Sequence, residues 1–373
     1  MTDDLLELSL ADPPRAWKAA DSVLASSDSA VDLSVAHQAR GIVLRDSGRM
    51  AEAIAELRLA LRLAGRVDGN RAADVRATYG VALFLGGQTG PGLRALDRAA
   101  AEATEPVWET VLMRRAHVLA NIGRWEAAES DLVLALDRMR GRSTPSWEAR
   151  TCNHLGFVHL ALGRIDEAED EFARAIALFT QEGRDEEADQ ALGNLASAAL
   201  ARGDLPRALD RYARIQLDDV RDPWLRSGIV AEQCDAYLVA GLIAEAVELA
   251  GEHLRDVALP PTFRADLSLT LARVHRSRGD HDEALAAATE ARSAFRRQKR
   301  SWLELRAGLV ELQVRAAAGA HRGLVARARE IARRLDEGRD DEAAAALVLA
   351  GRLAGGPERL QLWTAAQRYR RHP

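Results

Sequence analysis

The 373 residues predict an all-α solenoid of about eight to nine helical hairpins. Two observations carry that prediction. First, 47% of the chain is hydrophobic but only 5% is aromatic, and most of the apolar content is Ala and Leu. These residues favour helices, whereas strands want β-branched and aromatic side chains. Second, glycine returns at 48, 87, 123, 163, 203, 241, 279 and 319, in steps of 36–40 residues. A fixed period in this range marks stacked structural repeats.

Each unit reads as a helix A, a tight turn and a helix B. The phased glycine belongs in the turn, where a positive φ is cheap only without a Cβ. Five residues on comes a small side chain: Ala53, Gly92, Ala128, Ala168, Ala208, Ala246 and Ala284, with Leu324 in that place after Gly319. Small residues early in helix B let the two axes approach. A second set, Ala60, Ala99, Ala135, Ala175 and Ala291, should face the next hairpin. Breakers separate the units: Glu105-Pro106, Thr144-Pro145, Asp222-Pro223 and Leu259-Pro260-Pro261. The chain is thus expected to be one solenoid, 1–373. Residues 1–33 form a degenerate leading hairpin, 34–338 form about eight repeats, and 339–373 form a degenerate trailing hairpin.

Charge and composition exclude several classes. A net charge of −5 suggests neither nucleic acid nor a membrane surface. With only Cys152 and Cys234, a disulfide framework is not expected, and a reducing, cytoplasmic setting is. The opening MTDDLLELSLADPPR is acidic and lacks the pattern of a signal peptide. No run approaches 18 apolar residues, so no membrane span is expected. The lysines are Lys18 and Lys299 alone, an arginine bias that speaks of codon usage.

The repeat residues resemble the tetratricopeptide repeat. The clearest copy is Leu155-Gly156, His159, Gly163, Ala168, Phe172 and Ala175. His159 stands where the family has an aromatic tyrosine, a place Tyr237 fills in a later copy. The period exceeds the family's usual one, which longer helices explain. The resemblance covers roughly 34–338 and implies a right-handed superhelix, a partner groove lined by the A helices, and no chemistry of its own. A second resemblance lies in LLELSLADPPRAW, SVAHQARGIVLRDSG and RSWLELRAGLVELQVRAAAG. These look like the N-terminal repeat region of actinobacterial proteins that end in a CHAT domain, a caspase-like cysteine protease domain. That resemblance implies the sensing half of a protease whose catalytic half lies elsewhere. The ending RRHP, soon after a helix, reads as the edge of a truncated or processed fragment.

Catalytic motifs are missing. Neither lysine sits in GxxxxGK[ST], and there is no HExxH, GxSxG or CxxC. Cys152 and His154 are two apart on a helix and point about 200° from each other, so they cannot act as nucleophile and base. Both cysteines read as packed thiols. His154 and His159, five apart, do not match a helical metal pair, and His159 and His275 read as packing residues. Trp125 reads as core; Trp363 is split between packing and docking. No cofactor or metal is expected.

In the resembled family, the second, fifth, sixth, ninth and thirteenth places of helix A face the groove. Counted from the glycines these are Arg114, His117 and Asn121; Arg150, Asn153, His154 and Phe157; Gln190, Asn194 and Ser197; then Glu232 and Asp235. They suit an extended peptide backbone or an acidic side chain, or else form a wet wall. The family's carboxylate clamp is unmatched, because the fifth places hold Met113 and Asn153. Residues 291–334 carry 12 basic and 3 acidic side chains. Three readings stand in order: a solvated face, a docking face near Arg296, Arg297 and Arg300 for an acidic partner or domain, and a nucleic-acid patch, which is disfavoured. The sequence therefore points to a non-enzymatic scaffold that binds a protein or peptide, with a CHAT protease domain or its activator as partner. The alternative is the ligand-sensing arm of a transcription regulator or signalling protein.

Overall fold

The computed structural model describes residues 3–140, 145–220, 223–256, 259–298, 300–335 and 340–369. Among them are twenty α-helices and no strand. They pair into ten hairpins, because the leading and trailing segments also form helix pairs. The chain divides into two compact units, 1–120 with 126–154, and 121–125 with 155–373. The repeat period predicts one solenoid over 1–373. A stack in which each repeat touches its neighbours has no shared central core to forbid such a division.

The first unit contains α1 (Asp3–Ala11) and α2 (Pro13–Ser26), α3 (Ala30–Asp46) and α4 (Met50–Ala64), and α5 (Gly69–Leu85) and α6 (Thr89–Glu102). It continues with α7 (Val107–Asn121), α8 (Trp125–Met139) and the first part of α9 (Pro145–Ala161). The second holds the rest of α9 with α10 (Ile165–Gln181), then α11 (Asp185–Arg202), α12 (Leu205–Ala213), α13 (Pro223–Ala240) and α14 (Ile243–Leu254). It ends with α15 (Pro261–Arg278), α16 (His281–Arg297), α17 (Ser301–Ala317), α18 (Leu324–Arg334), α19 (Asp340–Leu353) and α20 (Gly356–Tyr369). Pro145, Pro223 and Pro261 each open a helix, the first turn being where proline's missing N–H costs nothing. Thr144, Asp222 and RRHP lie outside the described residues.

All eight phased glycines have positive φ, from 75° to 90°. The residue after the glycine donates its N–H five residues back, as in Arg164 to His159 at 2.9 Å and Asp204 to Ala199 at 2.9 Å. That bond closes a Schellman turn and satisfies carbonyls the helix leaves open. Ala53, Ala128, Ala168, Ala208, Ala246 and Ala284 are fully buried, as are Ala60, Ala99, Ala135, Ala175 and Ala291. Gly92 shows why that place is small: a Cβ there would lie 2.7 Å from the Gly80 carbonyl oxygen. The last repeat departs from the expected register. Gly323 also has φ of 74°, and Ala328, five residues beyond it, is fully buried. Leu324 only begins the helix. Four extra turn residues moved the repeat's true start from Gly319 to Gly323.

Helix A and helix B share volume across the hairpin. Seven residues before the turn glycine stand Gly41, Gly80, Ala116, Gly156, Ala196, Cys234 and Ala272. Nine residues after it stand Leu57, Leu96, Leu132, Phe172, Tyr212, Ala250 and Ala288, nearly all without exposure. A Cβ on Gly156 would meet the Phe172 ring at 2.7 Å, and one on Gly41 would meet Leu57 at 2.6 Å. Glycine on one helix thus makes the hole that a large side chain on the other fills.

Candidate binding surface

Thirteen, nine and six residues before each turn glycine form an i, i+4, i+7 stripe on helix A. On α3 the stripe is Val35, Ala39 and Ile42; on α7 it is Thr110, Arg114 and His117; on α9 it is Arg150, His154 and Phe157. On α11 it becomes Gln190, Asn194 and Ser197, on α13 Gly228, Glu232 and Asp235, and on α15 Asp266, Thr270 and Arg273. The polar character is concentrated in the middle repeats.

In the first unit, Asp74 on α5 collects three donors. Arg114 Nη1 lies at 2.6 Å, Arg71 Nη1 at 3.0 Å and Gln38 Nε2 at 2.9 Å. Burial works to raise this carboxyl, but Arg114 and Arg71 outweigh it and hold it below the usual range. Trp147 lies beneath two guanidiniums, with Arg150 5.1 Å and Arg114 5.9 Å from the ring centre. His117 and His154 meet edge to face, 5.4 Å between centroids at 63°. Burial, then Arg45, pushes His117 down to about 4; burial, then His117 and Arg150, pushes His154 down to about 3. Both are neutral imidazoles at pH 7, among cations. Asn153 is only 7% exposed and is not part of an open wall.

In the second unit, Phe157 is 46% exposed and meets Trp125 in a tilted arrangement, 6.0 Å between ring centroids. Trp125 is half-buried and not the core residue the sequence suggested, because it opens helix α8 at the surface end of the turn. Asn121 and Asn194 are half-buried. Ser197 Oγ lies 2.9 Å from Tyr212 Oη and 3.5 Å from Glu232 Oε2. Burial, reinforced by Asp235, raises Glu232 to about 7. Asp235 pairs with Arg273 at 2.7 Å, and Arg276 donates to Gln313. Sequence reasoning missed Asp74, Trp147, Arg273 and Arg276. The stripe rule reaches Asp74 and Arg273, whereas Trp147 and Arg276 fall off it.

Several arginines of the basic segment form internal ion pairs. Arg300 donates to both Asp266 oxygens at 2.9 Å and rests 5.0 Å from the Phe295 ring centre. Arg296 pairs with Glu304 at 2.8 Å, Arg292 with the buried Glu311, and Arg329 with Glu358 at 3.1 Å. Arg297 is exposed. A free three-arginine docking face is therefore not what the structure presents: Arg300 ties α17 to α15. Trp363 is 41% exposed with its indole over Gly351, where a Cβ would meet it at 2.4 Å.

Neither cysteine is in a disulfide, and both are fully buried. Burial, then Asp235, pushes the Cys234 thiol up to about 12, which makes it a poor nucleophile. Among the described residues, no group of three or more His, Cys, Asp and Glu side chains is placed to hold a metal ion. Likewise no helix is long and apolar enough to cross a membrane.

The fold and these stripes define a helical-repeat scaffold. The tetratricopeptide-repeat family model matches residues 109–181 and 147–215. None of the curated proteins matches the chain. Among solved structures, a STAND signal-transduction ATPase with a tetratricopeptide-repeat sensor, from Pyrococcus horikoshii, aligns over 90% of this chain at 13% identity and a TM-score of 0.53. The chain spans 54% of that protein's length, and the likeness is one of fold. A Rap protein complexed with Competence and Sporulation Factor aligns over 82% of this chain and 81% of its own, at 16% identity and a TM-score of 0.48. BtubC from P. vanneervenii aligns over 57% and 89%, at 17% identity and a TM-score of 0.40.

Proposed function

We propose that this chain is a non-enzymatic scaffold that binds a protein or peptide partner along the polar stripes of its first helices. The observation that carries the reading is the stack of Arg114 and Arg150 on Trp147, beside the paired imidazoles. Two guanidiniums on an indole offer donors and a flat apolar surface together, the combination found at interface hot spots. In the second unit, Phe157, Asn194 and Ser197 are proposed as partner-contacting residues of that unit's own stripes. The packed, high-pKa thiol of Cys234 and the buried Cys152 support a scaffold over an enzyme and suit a reducing, cytoplasmic setting.

The finer reading is that the scaffold is the sensing or regulatory region of a CHAT-type protease system, whose caspase-like domain or activator is the partner. It rests on the resemblance of the opening and of the stretches 34–48 and 300–319 alone. Reading the coding sequence beyond residue 373 tests it: a CHAT-type domain supports it, and a helix-turn-helix replaces it with a regulator's sensing arm. The binding surface is tested by capture of partners from the source lysate. Arg150→Glu should lose the partner that wild type retains. Arg297→Glu, the clean probe of the basic segment, should keep it. The reverse pattern would move the site to the basic segment.

A further inference from the structure

Four charged side chains line the face of α13 and α15, and only the inner two neutralise each other. Asp235 and Arg273 are joined at 2.7 and 3.2 Å. One turn earlier on α13, Glu232 has Ser197 Oγ at 3.5 Å, too long for a good O–H···O bond, and no cation paired with it among the described residues. One turn later on α15, Arg276 donates to the neutral amide of Gln313, and its charged neighbour is Arg273, a like charge. Both outer groups are half-buried. Withdrawing a charge from water without a counter-charge is costly. A carboxyl escapes by keeping its proton, as Glu232 does up to about pH 7. A guanidinium has no such escape.

The same face has room. Gly228 lies one turn before Glu232, and a Cβ there would meet nothing within 4 Å. Across from it on α11, a Cβ on Gly193 would sit 3.5 Å from Glu232 Oε2, so the smallest residue faces the carboxyl. We propose that this face of α13 and α15 receives an extended peptide segment of a protein partner, one that presents a cationic side chain to Glu232 and a carboxylate to Arg276. The occupant is argued from charge complementarity: each outer group lacks the opposite charge, and the inner pair already has it. An i to i+3 step on a helix is about 5 Å, so the outer charges stand roughly 10–15 Å apart. An extended chain rises about 3.3 Å per residue, which sets the peptide's cation and carboxylate roughly three to four residues apart. The proposal rests on the reading of the chain as a peptide-binding scaffold and adds the partner's charge pattern.

Binding a cation at Glu232 requires its proton to leave. The groups facing it are Asp235 on its own helix, Ser197 on α11 and Tyr212 on α12, while Arg273 is held by Asp235. Affinity for cation-bearing peptides should therefore fall as the pH drops below about 7.

The probe is a set of acetylated, amidated Gly/Ser decapeptides. They carry one Lys and one Glu at separations of one to six residues in both orders, with Lys-only, Glu-only and neutral controls. The whole chain should bind the Lys-plus-Glu peptides at separations of three to four at least tenfold more tightly than the neutral ones. Glu232→Gln should abolish the preference for Lys together with its pH dependence. Arg276→Gln should abolish the preference for Glu. Each loss should be about ten- to a hundredfold. Both variants should melt at or above the wild-type temperature, because each removes an uncompensated charge. The inference is overturned if wild type binds all sets equally or none, if the variants keep the wild-type preferences, or if they melt well below wild type. Those outcomes leave the scaffold reading standing as long as Arg150→Glu still loses the captured partner.

Discussion

Gly163 turns its hairpin at φ of 76° with nothing within 4 Å of a Cβ, so the residue is held by backbone geometry and not by crowding. Gly163→Ala should cost about 1–2 kcal/mol, the left-handed penalty, read as a lower urea midpoint at unchanged helicity. Glu232 makes the opposite kind of prediction. Its proton leaves about pH 7 in the fold and near 4.3 in an unfolded chain. Between those values the folded state binds the extra proton, so this residue makes stability fall as the pH rises through that window. Glu232→Gln should therefore raise the melting temperature at pH 8 and change it little at pH 4. A variant that destabilises at pH 8 would show that the carboxylate has a cation partner. The turn glycines could be read from sequence because their need is local. Glu232's state could not, since it depends on Asp235, Ser197 and Tyr212 arriving around it.

Within a hairpin the decisive quantity is the distance between helices. Ala168 is fully buried, and Ala168→Leu should overpack the crossing at a cost of about 1–3 kcal/mol. Gly156 and Phe172 form a matched hole and filler, so Gly156→Ala should be destabilising alone and partly rescued by Phe172→Leu. A double-mutant cycle measures that coupling; strict additivity would mean the two do not share the space. These small places were visible as a phased pattern. The last repeat escaped it because the four extra turn residues left the step to Gly319 at 40 and both Gly319 and Gly323 take positive φ. The role of Arg300 escaped it for another reason. Its partner Asp266 is 34 residues away, and a charge run looks the same in sequence whether its acids are near or far. Asn153 likewise kept its predicted register but is buried.

At the scale of the molecule, the chain divides into two compact units, and within them helices pack on near neighbours in sequence, as α3 does on α4 and α15 on α16. Such stacks need not unfold in one step, since stability sums over repeats and their interfaces. On the proposed function, a partner contacts the stripes of the first helices and leaves the second helices free. Selecting peptides on the whole chain from a random dodecamer display library, then measuring hydrogen exchange with and without the best of them, tests this most directly. Protection gained on α7, α9, α11 and α13, with binding lost in Arg150→Glu and kept in Arg94→Glu on the exposed side of α6, is the predicted result. Protection confined to the second helices, with binding lost in Arg94→Glu and kept in Arg150→Glu, would contradict it.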